Sequence, residues 1–91
     1  MKDYEHMQDV LYRTLLNCKT VEVCRQLLED LCTFQEVEQM AQRAMAAKLI
    51  VEGKTYSEII EQTGISSATL SRVSRAVHRG PGGYVRMLPK D

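Results

Sequence analysis

The chain has 91 residues, with 12 basic and 12 acidic side chains and a formal net charge of zero at pH 7. A chain of this length folds as one small domain, whose core is at the lower limit for independent stability. No stretch of about 18 apolar residues is present, so no membrane-spanning helix is predicted. The first residues, MKDYEHMQD, lack the apolar core of a signal peptide, and we expect a cytoplasmic protein.

Apolar periodicity predicts helices from the start of the chain, and no segment alternates in the manner of a strand. A first helix is expected over Tyr4 to Leu16, and Thr20 caps a second. Thr33 and Glu36 form a capping box that begins a third helix, which ends at Gly53. The second helix is expected to turn four residues inward: Val21, Cys24, Leu28 and Leu31.

The third helix contains an apolar run, Ala44 to Val51, in which Lys48 is the only charge. A helix that is apolar all round is buried all round, and one subunit of this size has little chain with which to surround it. We therefore predict a two-fold homodimer, the commonest closed symmetry. The alternative is a central helix wrapped by its own chain.

A second capping box, Thr55 with Glu58, starts a short helix. Ile59 and Ile60 are expected to form its apolar side, and Gly64 ends it, as glycine does at a left-handed position. A tight turn then leads into another helix. This order of elements is that of a DNA-binding helix-turn-helix.

The helix that follows the turn is predicted to present two different faces. Ser66 or Ser67 caps it, and Leu70, Val73 and Val77 recur at the spacing of one inward stripe. The opposite face carries small residues and arginines: Ser67, Ala68, Ser71, Arg72, Arg75 and Arg79. This pattern is typical of a recognition helix that enters the major groove of DNA.

The charges are unevenly divided between the two halves of the chain. Residues 1–42 contain four basic and eight acidic side chains, whereas residues 43–91 contain eight basic and four acidic ones. Between Ser66 and Lys90 there are five basic residues and no acidic one. Such a separation gives a neutral protein a basic face; the alternative is an ordinary solvated face with a basic tail.

Three parts of one domain are predicted. A helical dimerisation core covers residues 1–53, the helix-turn-helix covers 54–80, and a C-terminal tail covers 81–91. The tail follows a breaker cluster, Gly80 to Gly83. Within it, Tyr84 to Leu88 is expected to form one short helical piece.

No pattern of catalytic or metal-ligating residues is found in the sequence. Cys18, Cys24 and Cys32 form no CxxC pair and have no nearby histidine at ligand spacing. We interpret them as small buried apolar side chains rather than as a zinc or redox site. His6 and His78 are isolated in the sequence. We predict no enzymatic activity, no metal and no cofactor.

The stretch DLCTFQEVEQMAQR, with the later stretch LIVEGKTYSEIIEQTGISSATLSRVSRAVHRGPGGY, resembles the tryptophan-repressor superfamily. It is most similar to the short trp repressor-related branch of bacterial proteins, the YerC/YecD type. The resemblance covers about residues 30–84. It implies an all-α, intertwined homodimer with one helix-turn-helix in each subunit, which reads a palindromic site in double-stranded DNA.

The resemblance also allows a comparison with the tryptophan-binding site of the family. Arg43 and Arg72 stand where the tryptophan repressor has the two arginines that flank the bound amino acid. Val73 replaces the glycine that leaves room for the indole, and Ala76 replaces a serine that helps to hold the amino group. Both departures remove space or polarity, so we predict that tryptophan does not bind in the manner of the family.

The positions with which the family reads DNA match Ser67, Ala68 and Ser71. Their side chains have no bidentate donor fork, so base readout is expected to depend on methyl contacts, hydroxyl groups and bridging water. Contacts with the DNA backbone are predicted for Lys54, Ser57 and Arg79. Arg75 is expected to contact phosphate, with a guanine edge as the alternative, and Arg72 to contact either phosphate or a carboxylate of its own dimer near Glu58.

The residues and the resemblance together predict a sequence-specific DNA-binding transcription regulator. Two alternatives stay open. In the first, the helix-turn-helix is a protein–protein interaction module, because its exposed face of small side chains is also suited to docking another protein. In the other alternative, the regulator senses a small carboxylate ligand other than tryptophan through Arg43 and Arg72.

Overall fold

The structure is a computed structural model that describes residues 2–90, and this part of the chain is all-helical, as predicted. Six helices follow one another over these residues: α1 (Tyr4–Leu16), α2 (Val21–Leu31), α3 (Phe34–Val51), α4 (Tyr56–Thr63), α5 (Ser67–Arg79) and α6 (Gly83–Met87). The short final helix begins and ends one residue earlier than expected. No helix over residues 2–90 is both long and apolar enough to span a bilayer.

The helix starts confirm the predicted capping residues. The Thr20 hydroxyl accepts a hydrogen bond from the Val23 backbone N–H at 3.1 Å. At the start of α3, the Glu36 backbone N–H donates to the Thr33 hydroxyl at 3.1 Å, and the Thr33 backbone N–H donates to the Glu36 carboxylate at 2.7 Å. These bonds satisfy backbone N–H groups that a helix start leaves without an intrahelical partner.

The chain divides into two compact units, residues 1–37 and 38–91, and the boundary lies within α3. In the first unit, neither α1 nor α2 contains a buried residue. The predicted inward stripe of α2 is therefore wrong for the single chain, in which Val21 is 78% exposed and Leu31 is 51% exposed. The periodicity is present, but of the four residues only Leu28 is half-buried, and Cys24 is exposed as well.

The cysteines are less buried than predicted. Cys18 and Cys32 are half-buried and Cys24 is exposed. Partial burial raises the pKa of the Cys18 thiol, and a hydrogen bond with Cys24 acts in the same direction. The neutral thiol, rather than the reactive thiolate, is favoured at Cys18.

The second unit contains a hydrophobic core to which α3, α4, the following turn and α5 contribute. Its buried members are Ala46, Ala47, Leu49, Ile59, Ile65, Leu70 and Val73. The prediction that Ile59 and Ile60 both face inward is half wrong, because Ile59 has no exposed surface whereas Ile60 is 37% exposed. Consecutive side chains of an α-helix point about 100° apart. When α4 packs against the core along one side, only one of two adjacent side chains is therefore fully buried.

Gly80 joins α5 to the final segment at a point where a side chain has no room. A Cβ atom there would overlap the Ala76 carbonyl, which belongs to the backbone of α5, whereas a Cβ at Gly83 would meet nothing within 4 Å. We expect Gly80→Ala to lower the free energy of unfolding by about 1–3 kcal/mol, as overpacking does. Gly83→Ala is the matched control and should change it by less than about 0.5 kcal/mol. Urea unfolding at one fixed protein concentration measures both, and equal effects would contradict the expectation.

Candidate nucleic-acid interface

Helices α4 and α5 form a helix-turn-helix whose turn consists of Gly64, Ile65 and Ser66. The Glu58 backbone N–H donates to the Thr55 hydroxyl at 3.2 Å, which with the reciprocal contact completes the capping box of α4. Gly64 has a φ of +72°, in the left-handed region, as the sequence predicted. Ile65 is 3% exposed and anchors the turn in the core.

Ser66, not Ser67, is the residue that caps α5. Its hydroxyl accepts a hydrogen bond from the Thr69 backbone N–H at 3.2 Å. With the helix fixed in this way, Leu70 and Val73 point into the core and are 0% and 3% exposed. The predicted inward stripe of α5 is confirmed at these positions, and Val77 packs against the core as a partly buried residue.

The residues predicted to contact DNA all lie at the surface. The structure gives an exposed position to each member of this set: Lys54, Ser57, Ser67, Ala68, Ser71, Arg72, Arg75 and Arg79. This leaves each side chain accessible to a macromolecule. Helix α5 therefore has one buried apolar face and one open face of small and cationic residues.

The cations of α5 have no carboxylate partner in the part of the chain that the structure describes. Within residues 2–90, the ion pairs are Arg13 with Asp9, Arg25 with Glu22, and Lys48 with Glu52. No carboxylate of these residues lies within 4.0 Å of the guanidinium groups of α5. The side chain of Arg72 donates to the Thr69 hydroxyl at 3.3 Å, which leaves its charge uncompensated.

The three arginines of α5 lie close together on the open face. Arg72, Arg75 and Arg79 line one shallow cleft of about 340 Å³, together with Ala76 and Gly80. We call this group the arginine cleft. Guanidinium groups side by side without a carboxylate among them attract an anion, and their donor geometry matches phosphate oxygens.

The structure also brings Arg43 and Arg72 together, although they are 29 residues apart in the sequence. Both line a cleft of about 690 Å³ whose other lining residues are Gln39, Gln42, Gly64, Ile65, Ser66, Thr69, Val73, Ala76 and Tyr84. We call it the Arg43 cleft. The Gln42 side-chain amide, at its edge, donates to the Thr63 carbonyl at 3.1 Å and so ties α3 to the end of α4.

A third cleft contains three residues to which the sequence reasoning gave no role: Tyr56, Ser74 and His78. It has a volume of about 420 Å³ and is lined by Tyr56, Ser71, Ser74, Arg75, His78 and Arg79. We call it the His78 cleft. A signal for His78 was present, because it follows Ser71 by seven residues and Arg75 by three, the spacing of one helix face. Lys54 and Ser57 line none of these three clefts.

Comparison with known proteins identifies the family to which this helix-turn-helix chain belongs. A family model described as Trp repressor protein matches residues 6–91. The chain belongs to the Trp repressor protein family. The uncharacterized protein YerC of Bacillus subtilis (strain 168) is a relative that is 39% identical over 82 residues, which cover 90% of this chain and 79% of YerC.

Two solved structures agree with membership of the Trp repressor family. One is a Staphylococcus aureus protein provisionally assigned as a Trp repressor, with a TM-score of 0.87 and 37% identity over 91% of this chain and 83% of its own. The other is a TrpR-like protein from Eubacterium eligens ATCC 27750, with a TM-score of 0.82 and 38% identity over 90% of this chain and 91% of its own. The Trp repressor fold is a regulator-type fold rather than an enzyme fold.

Proposed function

We propose that this protein is a sequence-specific DNA-binding transcription regulator without enzymatic activity. The observation that carries the proposal is the open face of α5, where Arg72, Arg75 and Arg79 line one cleft that contains no carboxylate. This helix is the second of a helix-turn-helix, which is the element that enters the major groove. Membership of the Trp repressor family supports the same function.

Binding would proceed in two steps with different residues. The arginines capture the phosphate backbone, which releases condensed counterions and supplies most of the non-specific affinity. Ser67, Ala68 and Ser71, near the start of α5, then meet the base edges. Because these side chains are short, they would contact the bases in three ways: by apolar contact with the thymine methyl group, by single hydrogen bonds from the serine hydroxyls, and through bridging water. Lys54 and Ser57, at the start of the motif, contact the DNA backbone.

A homodimer is the second part of the proposal. The apolar side chains of the first unit are too exposed for a stable single chain: Met7 is 55% exposed, Val10 50%, Leu15 42% and Phe34 81%. Residues of α2 and the start of α3 also line an apolar groove of about 570 Å³ that contains Val21, Leu28, Phe34 and Val37. Patches of this kind mark association surfaces, and a second copy would cover them.

The dimer sets the arrangement of the reading elements. Residues 1–53 form the dimerisation core, residues 54–80 form the helix-turn-helix, and residues 81–91 form a tail. Two-fold symmetry then presents two copies of α5 to half-sites whose centres are about 34 Å apart, one turn of the double helix. The preferred DNA site would be a palindrome for the same reason.

A mobility-shift titration with random genomic fragments at low salt tests the function. The proposal predicts a shifted complex that disappears as the salt concentration rises, because counterion release drives binding. The alternative function is docking to another protein through the same exposed helix. Absence of any complex at the lowest salt concentration would favour docking over DNA binding.

We also propose that L-tryptophan is not the effector. Val73 and Ala76 both line the Arg43 cleft, at the positions where the tryptophan repressor has the glycine that leaves room for the indole and the serine that helps to hold the amino group. Isothermal titration calorimetry with L-tryptophan is therefore expected to show no saturable heat at micromolar concentrations. A dissociation constant in the micromolar range would contradict this expectation.

A second candidate function is sensing of a different small carboxylate. The observation that favours it is that Arg43 and Arg72 line the same cleft, which also offers the polar side chains of Gln42, Ser66 and Thr69. Paired guanidinium groups suit a carboxylate. A thermal-shift screen of amino acids tests this candidate. Stabilisation that is lost in Arg43→Ala would support it, whereas no stabilisation by any amino acid would count against it.

A further inference from the structure

The lining of the His78 cleft is rich in hydrogen-bond donors and carries two guanidinium charges. Its six residues supply three hydroxyl groups from Tyr56, Ser71 and Ser74, two guanidinium groups from Arg75 and Arg79, and the imidazole of His78. Each of these groups donates hydrogen bonds, and guanidinium groups cannot accept one. A phosphodiester group carries acceptor oxygens and a negative charge, so its chemistry is complementary to that of this cleft.

Among residues 2–90, no carboxylate lines the cleft beside His78. Helix α5 packs against α4 and α6. From α4, Tyr56 is the titratable group that lines the cleft; Glu58 is engaged with Thr55 in the capping box, and Glu61 is not a lining residue. On α6, Tyr84 lines the Arg43 cleft and Arg86 donates to the Pro81 carbonyl. A protonated His78 would therefore lie beside two arginines without a carboxylate in the cleft.

We propose that the His78 cleft binds one backbone phosphate of double-stranded DNA per protomer, with His78 and Tyr56 as contact residues, so that DNA binding is coupled to protonation of His78. The inference rests on the proposed DNA-binding function and adds to it two contact residues and a dependence on pH. It depends on the lining of the cleft, which combines Tyr56 of α4 with donors from α5.

The sign of the pH dependence follows from the charges. Histidine is the side chain whose ordinary titration falls between about pH 5 and pH 8. A phosphate bound beside His78 stabilises the imidazolium form, so the complex holds more protons than the separate molecules. By linkage, DNA affinity must rise as the pH falls. Each additional phosphate that is neutralised adds about 0.9 to the magnitude of the slope of log K against log salt concentration.

The test is fluorescence anisotropy of a labelled random-sequence duplex with the full chain, at several salt concentrations, at about pH 6 and about pH 8. The salt slope should be steeper at the lower pH by about 0.9 for each protomer, and at about 0.1 M salt each newly protonated His78 should tighten binding about eightfold. His78→Gln, which keeps a donor but takes up no proton, should abolish the difference. His6→Gln is the matched control, because His6 is the only other histidine, and it should leave the difference intact.

Tyr56→Phe separates the geometry of the cleft from its charge. It should weaken binding about fivefold for each protomer at both pH values, as expected for one lost hydrogen bond per protomer, without a change in the salt slope. A pH dependence that persists in His78→Gln, or that is absent from the original protein while the duplex still binds, would overturn the proposal and leave the DNA-binding function standing. If no duplex binds at low salt at either pH, the proposed function itself is wrong, and this inference fails with it.

Discussion

Replacing Arg75 and Arg79 together by alanine is expected to lower the affinity for random-sequence DNA by about 10³- to 10⁴-fold at about 0.1 M salt. Both guanidinium groups line the arginine cleft and the His78 cleft, and neither lies near a carboxylate within residues 2–90. Each lost phosphate contact reduces the salt slope by about 0.9 and the affinity by about eightfold at this salt concentration. A dimer loses four such contacts, which gives the expected range.

The chain offers a matched control for this loss of charge. Arg13 and Arg25 are also exposed arginines, but each is paired with a carboxylate on its own helix, Asp9 and Glu22 respectively. Their double alanine variant removes the same formal charge from α1 and α2. Because Arg25 also lines the apolar groove of α2, both variants are first shown by sedimentation to have the oligomeric state of the original protein. The control should then bind DNA within about threefold of the original protein, with the same salt slope. Anisotropy titrations over a salt series measure both variants. Equal losses in the two variants would show that net charge, and not the face of α5, controls binding.

Ile59→Ala is expected to have the largest effect on stability, a loss of about 2–5 kcal/mol in the free energy of unfolding. Ile59 is one of the two largest side chains without exposed surface, so its truncation leaves a cavity in the core under the helix-turn-helix. Its neighbour provides the control. Ile60 is 37% exposed, and Ile60→Ala should cost about 1 kcal/mol or less, because solvent fills the space that the side chain vacates.

Urea denaturation measured by circular dichroism distinguishes the two isoleucines. The protomer concentration must be the same in each experiment, because the stability of an associated protein depends on it. An effect of Ile60→Ala as large as that of Ile59→Ala would contradict the arrangement of α4 described above.

The features that the sequence predicted correctly are local ones. Each capping residue accepts a hydrogen bond from a backbone N–H three residues later, as seen for Thr20, Thr33, Thr55 and Ser66. A short sequence pattern is therefore enough to predict the cap. Gly64 is of the same kind, since a helix end that needs a positive φ favours glycine. The order and type of the helices therefore followed from short patterns, and the bounds of α6 differed by one residue.

The features that could not be predicted from the sequence depend on which helix surfaces pack against each other. Periodicity showed that α2 has an apolar stripe, but it did not show that the single chain leaves Val21 and Leu31 exposed. In the same way, adjacent Ile59 and Ile60 have identical side chains, and only the position of the core distinguishes them. The His78 cleft is lined by Tyr56 of α4 and by residues from three successive turns of α5. Residue spacing within α5 cannot predict which residue of another helix lies beside it.

Selection of bound fragments from a random genomic pool, followed by sequencing, is the most direct test of whether paired α5 helices read DNA. The enriched fragments should share a palindrome whose half-site centres lie about 34 Å, or about 10 base pairs, apart. Enrichment should be lost in the Arg75→Ala/Arg79→Ala variant and kept in the Arg13→Ala/Arg25→Ala variant. A pool that emerges without any enriched sequence, or with a single half-site that lacks its inverted copy, would contradict a dimeric, sequence-specific regulator.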